Sequence, residues 1–183
     1  MKHTLLIVTA LIITALMLVV GCSKPINDET LIGEEGLKYH PETKELYSGD
    51  VFKNYLGGKT EYEGSYKNGK QDGKWTRWHE NGQKWYEGTF KDGILDGLHT
   101  TWYENGQKKD KGTYKDGKRE RKWTAWYESG KLGGKGTYKD GKWDGLLTEW
   151  YENGQKKRER IYRDGKEIES TYWDEDGDLI DYE

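Results

Sequence analysis

Cysteine, proline and alanine are almost missing from this chain. Its 183 residues contain one cysteine and two prolines, and a single alanine beyond Cys22. One cysteine excludes disulfides within the chain and zinc sites built on cysteine. A basic surplus is also lacking: Lys and Arg total 30, Asp and Glu total 33, and the net charge is -3. Only Lys2 falls in the leading segment, so the remainder is close to balanced, which argues against a dedicated nucleic-acid binder. Aliphatic residues are scarce as well, with 17 Ile, Leu and Val after Cys22. By itself that scarcity points to disorder. The 25 aromatics (9 Trp, 14 Tyr, 2 Phe) reverse the reading, because each ring can bury a large apolar area. With 25 Gly and almost no Ala, the composition is that of turns and strands, and no long segment has helical periodicity.

The one long apolar run is at the start. Lys2 and His3 precede Thr4 to Val20, and Val19-Val20-Gly21-Cys22-Ser23 follows. This resembles a bacterial lipobox, with an aliphatic residue three before the cysteine and a small residue directly before it. The resemblance implies a signal peptide over 1–21, cut before Cys22, and a diacylglycerol on the Cys22 thiol. The competing reading is an uncleaved membrane helix, for which a run of about 17 residues is short. Lipidation anchors a protein to a membrane instead of spanning it. The expected location is the cell envelope, and Ser23 favours the outer membrane if the cell has two. Residues 22–37 show no clear periodicity and read as a flexible tether.

From residue 38 onward the chain is a repeat. Gly69, Gly93, Gly117, Gly141 and Gly165 are each 24 residues apart, as are Gly58, Gly82, Gly106, Gly130 and Gly154. Trp78, Trp102, Trp126 and Trp150 keep the same spacing, followed by His79, Tyr103, Tyr127 and Tyr151. Tyr66, Phe90, Tyr114, Tyr138 and Tyr162 form a further column. The units are about 38–61, 62–85, 86–109, 110–133, 134–157 and 158–183. The outer ones are degenerate, with Asn54 at the Trp column and Arg160 and Glu169 at glycine columns, as expected where a terminal unit faces solvent.

Each unit reads as two strands and two turns. In 86–109, Tyr86, Gly88 and Phe90 alternate onto one face, Asp92-Gly93 marks a hairpin turn, Leu98, Thr100 and Trp102 share a face, and Asn105-Gly106 is the next turn. Consecutive hairpins make an antiparallel meander. About ten strands at ~4.8 Å give a sheet on the order of 50 Å long. Gly64, Gly88, Gly112 and Gly136 lie on strands, and a strand glycine leaves a hollow that an aromatic ring can cover. Trp102 and its equivalents are the expected covers. The columns of Trp78, Trp102, Trp126, Trp150, Tyr103, Tyr127 and Tyr151 are either a packed core of rings or an open platform for sugars or peptides.

The segments Tyr-Lys-Asp-Gly-Lys (114–118), Asp-Gly-Lys-Trp (72–75) and Trp-Tyr-Glu-Asn-Gly (150–154) resemble the MORN repeat, in the variant form common in bacteria. The resemblance covers about 38–183. It implies an all-β fold, an elongated, twisted antiparallel sheet of stacked hairpins. It says little of function, since the family is a scaffold in many roles. Some bacterial members are labelled antitoxins, and the family name reflects a proposed membrane association. Arg121, in the unit 110–133, departs from the pattern at the position of Gly73, Gly97 and Gly145.

Chemistry is hard to find. His79 falls in the Tyr column and His99 in the column of Trp75, Trp123 and Leu147, so packing accounts for both. Neither has a spaced second ligand, so no metal or other cofactor is expected. The carboxylates Glu80, Glu104, Glu128 and Glu152 recur with the repeat, whereas a catalytic pair should break it. The expectation is a non-enzymatic, lipid-anchored envelope protein. It would be a scaffold or binding surface for an envelope protein or polysaccharide. The alternative is an antitoxin or immunity protein.

Overall fold

The computed structural model describes residues 24–180. The signal peptide expected over 1–21 and the lipid acceptor Cys22 lie outside them. The first described elements are β1 (Ile26–Asn27), a 3-10 turn over Asp28–Thr30, β2 (Ile32–Glu34) and β3 (Leu37–Tyr39). The array proper begins with β4 (Gly49–Asn54), β5 (Thr60–Lys67), β6 (Lys70–Gln71) and β7 (Gly73–Trp78). It continues through β8 (Lys84–Lys91), β9 (Ile94–Trp102), β10 (Lys108–Lys115), β11 (Lys118–Trp126) and β12 (Leu132–Lys139). It ends with β13 (Lys142–Trp143), β14 (Gly145–Trp150), β15 (Lys156–Arg163), β16 (Lys166–Trp173) and β17 (Leu179–Ile180). Fifteen of these strands form one open sheet in which each long strand pairs antiparallel with its neighbours in sequence. The expected all-β meander is the fold.

Two kinds of turn close the hairpins. At the Asp-Gly turns both central residues have positive φ: 51° and 85° at Asp92-Gly93, 49° and 76° at Asp116-Gly117. That is a turn whose twist suits a two-residue hairpin, and Asp and Gly are the residues that tolerate it. At the opposite rim Tyr103 N donates to Gln107 O (2.9 Å), Gly106 N to Tyr103 O (2.9 Å), and Asn105 Oδ1 accepts from Gln107 N (2.9 Å). Both rims also bond from unit to unit. Gly93 N donates to Gln71 O (2.8 Å) and Gly117 N to Leu95 O (2.9 Å) at the first. At the second, the Tyr103 hydroxyl donates to Trp126 O (2.8 Å) and Tyr127 to Trp150 O (2.6 Å). His79 takes the tyrosine's place one unit earlier, and its Nε2 is 3.5 Å from Trp102 O, too long for a good hydrogen bond.

The tether expected over 22–37 is corrected for the part described. β1 pairs parallel with β4, β2 and β3 form a hairpin, and Lys38 N donates to Gly69 O (2.9 Å). Leu31 and Tyr47 join Val51, Tyr66 and Trp75 in one buried cluster. The buried Asp28 carboxylate accepts from the Tyr62 hydroxyl (2.6 Å) and the Lys38 ammonium (3.0 Å). The segment shows no periodicity because it covers the first units instead of repeating them.

Arg121 keeps the left-handed backbone of the glycines it replaces. Its φ is 62°, against 82° at Gly73 and 91° at Gly145. A residue with a Cβ pays about 1–2 kcal/mol in that region. Arg121→Gly is therefore expected to stabilise the protein by roughly 1 kcal/mol and raise Tm by about 2–4 °C, read by thermal unfolding. An unchanged or lowered Tm would mean that the arginine side chain offsets the strain.

Candidate functional site

The two faces of the sheet differ in chemistry. On one, Gly64, Gly88, Gly112 and Gly136 alternate across the strands with Trp75, His99, Trp123 and Leu147, as the pairs Trp75–Gly88, Gly112–His99 and Trp123–Gly136 show. A Cβ added at Gly64 would meet the Trp75 indole, and one at Gly112 the Trp123 indole. At Gly136 it would meet Trp143 (2.6 Å) and Leu147 (2.9 Å). Each ring thus lies flat over the glycine of the neighbouring strand, and its N–H reaches past it: Trp75 Nε1 to Ser65 O (3.1 Å), Trp123 Nε1 to Thr113 O (3.3 Å). Gly88 is met instead by Tyr86 of its own strand and by Leu95. Gly64 and Gly112 are covered as expected, but by a different column. Trp75 and Trp123 do it, not Trp102 or its equivalents. Trp75 is 1% and Trp123 5% exposed.

Trp78, Trp102, Trp126 and Trp150 lie at strand ends, half-buried. They alternate with the next strands in the order Trp78–Lys84, Trp102–Lys108, Trp126–Leu132 and Trp150–Lys156. The Lys84 ammonium stands 5.6 Å from the Trp102 ring centre, a cation–π contact. Strand alternation puts this ladder on the face opposite Trp75 and Trp123, with Thr76, Glu87 and Thr148. Tyr103, Tyr127 and Tyr151 are also half-buried, and their hydroxyls are spent on inter-unit carbonyls. Burial raises the pKa of Tyr103 and Tyr127 above the ordinary tyrosine value, with nearby glutamates adding to it. These columns are inter-unit fasteners more than an open platform.

The open part of the aromatic face lies elsewhere. The row that carries Tyr62, Arg77, Tyr86 and Thr101 in the early units continues as Asp110, Ala125, Gly134 and Glu149. Two small residues therefore face each other where large ones stand earlier. They leave a depression of about 390 Å³ between Trp123, Tyr138, Trp143 and Leu147. Tyr138 and Trp143 stack at 3.7 Å between ring centres, and Arg119 stacks on Trp123 at 4.4 Å. The sequence signal was present at Ala125 and Gly134. A search for polar residues unique to one unit misses it, because what breaks the repeat is lost bulk.

Charged groups rim this hollow. Asp110 accepts from His99 Nε2 (3.0 Å) and from the Thr101 hydroxyl. Glu149 accepts from Arg158 NH2 (2.8 Å) and Arg160 NH2 (2.8 Å). Burial opposes both carboxylates, but these hydrogen bonds outweigh it and hold both pKa values below the usual range. Arg160 stands at the strand-glycine column, so a guanidinium takes the site a covered glycine would occupy. His99, expected as a packing residue, is 9% exposed and packs between Tyr86, Tyr114 and Trp123.

The chain matches the family described as MORN repeat variant over residues 71–92, 95–116, 122–140 and 143–164. A comparison with curated proteins finds no match for this chain.

Two outcomes are expected from these contacts. Trp123→Ala removes a buried ring and should cost about 3–5 kcal/mol, whereas Trp102→Ala should cost roughly 1–2 kcal/mol. Urea unfolding of both variants decides, and equal losses would overturn the assignment of the Trp75/Trp123 column as the core. Stability should also fall in acid. Asp110 and Glu149 have lower pKa values folded than unfolded, so the unfolded chain takes up protons first. Their contribution is full above about pH 5 and is lost as pH falls through the native values. Asp110→Asn with Glu149→Gln should flatten that acid limb in a series of thermal melts from neutral to acid pH.

Proposed function

With residues 71–164 belonging to the MORN repeat variant family, we propose that this chain is a non-enzymatic, lipid-anchored scaffold of the cell envelope. Its sheet presents a binding surface for an envelope protein or polysaccharide. The observation that carries this reading is the open sheet. Thirteen strands lie side by side without closing, with the short β6 and β13 off that path, and beyond the N-terminal cover the aromatic face keeps a hollow at the units around Ala125 and Gly134. Such a surface has length and repetition and suits extended contact. The charged groups are spent on structure. Asp110, Glu149 and Glu87 are each engaged by hydrogen bonds or ion pairs, and each has its pKa held low, whereas a general acid needs one raised.

The anchor is proposed on the lipobox alone, with Cys22 as acceptor of the lipid and the membrane as the first partner. Cys22→Ser is expected to abolish incorporation of labelled fatty acid and to move the protein out of the membrane fraction. Persistent labelling in that variant would overturn the anchor. Crosslinking in intact envelopes tests the surface, from photoreactive residues at the exposed Ala125 on the aromatic face and, on the opposite face, at Leu98 and Leu146. A discrete adduct that depends on position supports the scaffold, and the absence of any adduct along the whole sheet removes it.

A further inference from the structure

We propose that the hollow over Ala125 and Gly134 is the docking site for a short acidic segment of a partner protein, which sets an apolar side chain into the hollow and a carboxylate against Arg119. This rests on the binding-surface reading and names the kind of partner for one place on it.

The array itself shows what fills such a site. In the first units Leu31 packs into the cluster of Val51, Tyr66 and Trp75, and the neighbouring Asp28 accepts from the Tyr62 hydroxyl (2.6 Å). Three steps of 24 residues later, these four sheet positions are Trp123, Tyr138, Leu147 and Gly134. They line the hollow. The hollow is therefore the later copy of a site that the chain fills with its own acidic and apolar segment, Asp28-Glu29-Thr30-Leu31. It is also the deeper of the two. Ala125 stands for Lys53 and Gly134 for Tyr62, so a side chain larger than leucine has room. The fold does not demand that loss of bulk. A Cβ built at Gly134 would make only ordinary contacts, at 3.7 Å from Glu149 Cγ and 3.9 Å from Thr148 O. The ring faces are already taken, those of Trp123 by Gly112 and Arg119 and that of Tyr138 by Trp143. What remains for an apolar group is ring edges and Leu147, the kind of surface Leu31 uses.

The charge of the site selects an acid. The guanidiniums of Arg119, Arg158 and Arg160 outnumber the carboxylates Asp110 and Glu149, and Lys109 and Lys135 at the margin add to the excess. Both carboxylates are engaged, Asp110 by His99 and Thr101, Glu149 by Arg158 and Arg160. Arg119 is different. It is exposed, lies over the Trp123 ring at 4.4 Å and donates from NH1 to the Tyr138 hydroxyl (2.9 Å). Among the described residues no carboxylate forms an ion pair with it, and Asp110 feels its charge only at a distance. A guanidinium held by a ring and a hydroxyl, with donors left over, is a preorganised receptor for a carboxylate. Its place also matches. Arg119 bonds to Tyr138, the later copy of Tyr66, and in the first units burial and the nearby Asp28 carboxylate together raise the Tyr66 pKa. A carboxylate placed as Asp28 is placed would thus stand beside Arg119. The same column holds Tyr47 in the first site and Gln71 and Leu95 between, so the arginine is particular to this unit.

The test uses the full chain in detergent, with a displayed library of random nonapeptides as the probe. The Gly134→Tyr variant, which refills the hollow with the bulk of Tyr62, serves for counter-selection. Enriched peptides are expected to carry Asp or Glu with a large apolar residue three positions on, the spacing of Asp28 and Leu31. A synthetic peptide of that pattern should bind saturably, and more weakly as salt rises. Gly134→Tyr and Arg119→Gln should each weaken it about tenfold or more while the circular dichroism stays that of the wild type. Leu98→Ala, on the opposite face, should leave it unchanged. The site is overturned if no peptide is enriched, if the enriched peptides lack the acid, or if they bind the Arg119→Gln variant as they bind the wild type. Stronger competition by inorganic phosphate or polygalacturonate than by the unlabelled peptide overturns the acidic-segment assignment. A dimer in light scattering that Gly134→Tyr dissolves puts the 28–31 segment of a second copy in the hollow and overturns the separate partner. Envelope crosslinking distinguishes this proposal from the scaffold reading. Adducts from Ala125 or Leu98 without acidic-peptide binding leave the scaffold standing, and no adduct anywhere removes the scaffold itself.

Discussion

A sheet with no second layer has nothing to bury its face against, and most of this structure follows from how that is met. Here the core is made within the layer. A strand glycine on one strand leaves a gap, and a large flat side chain from the next strand lies into it, as Trp75 does over Gly64 and Trp123 over Gly112. The ring gains contact on one side from the backbone beneath it and on its edges from the Tyr66, Phe90, Tyr114 and Tyr138 column: Tyr66 meets Trp75 at 5.2 Å and Tyr114 meets Trp123 at 5.3 Å, both edge to face. Removing the glycine blocks the ring, and removing the ring exposes the backbone. This is why so few aliphatic residues suffice. The buried aliphatic members are Val51 and Leu147 within the rows, and Leu31 from the covering segment.

Because each ring reaches only the adjacent strand, the fold is a chain of neighbour contacts. The two rims reinforce the same neighbour relation. Along one, glycine N–H groups of the Asp-Gly turns donate to a carbonyl of the unit before. Along the other, tyrosine hydroxyls donate to a carbonyl of the unit after. Each such bond contributes about 1 kcal/mol net, less than a buried ring. The rings hold the layer together, while the rims fix the 24-residue step, since both partners must recur in register. Departures show where the step tolerates change. His79 gives up a good rim bond, and Arg121 accepts a strained backbone, yet the sheet continues through both.

Much of this was legible in the sequence. The glycine and aromatic columns, their period, and both kinds of turn predict an open meander of hairpins, and that is what forms. Which aromatic column is buried was not legible. Trp78, Trp102, Trp126 and Trp150 are identical from unit to unit, while Trp75, His99, Trp123 and Leu147 vary. Identity marks a place where each unit repeats one local contact, here beside a lysine for Trp78, Trp102 and Trp150 and beside Leu132 for Trp126. The buried column needs only a large, flat or branched group over a glycine, which several residues provide. The segment 24–39 was opaque for a different reason: it caps the array once, so it has no period to detect. The hollow was hidden because small residues leave no chemical signature. Ala125 and Gly134 open a hollow only because pairing sets them side by side, between Asp110 and Glu149.

The two ends of the array solve the same problem differently. At the N-terminal end the exposed face is covered: β1 adds to β4, and Asp28 is held by Tyr62 and Lys38 beneath the 26–47 segment. At the C-terminal end the face is changed instead. Arg160 takes the glycine position and removes the gap that would require a ring. Glu149, Arg158 and Glu167 then replace aromatic packing with ion pairs that tolerate water. The outermost long strand, β16, carries exposed Lys166, Glu167 and Glu169, and β17 pairs with only its last two residues. Charged side chains on an edge strand disfavour pairing with another chain. The hollow sits between these two ends. It lies past the reach of the N-terminal cover and before the ion-paired cap, in the stretch where the aromatic face is neither covered nor replaced.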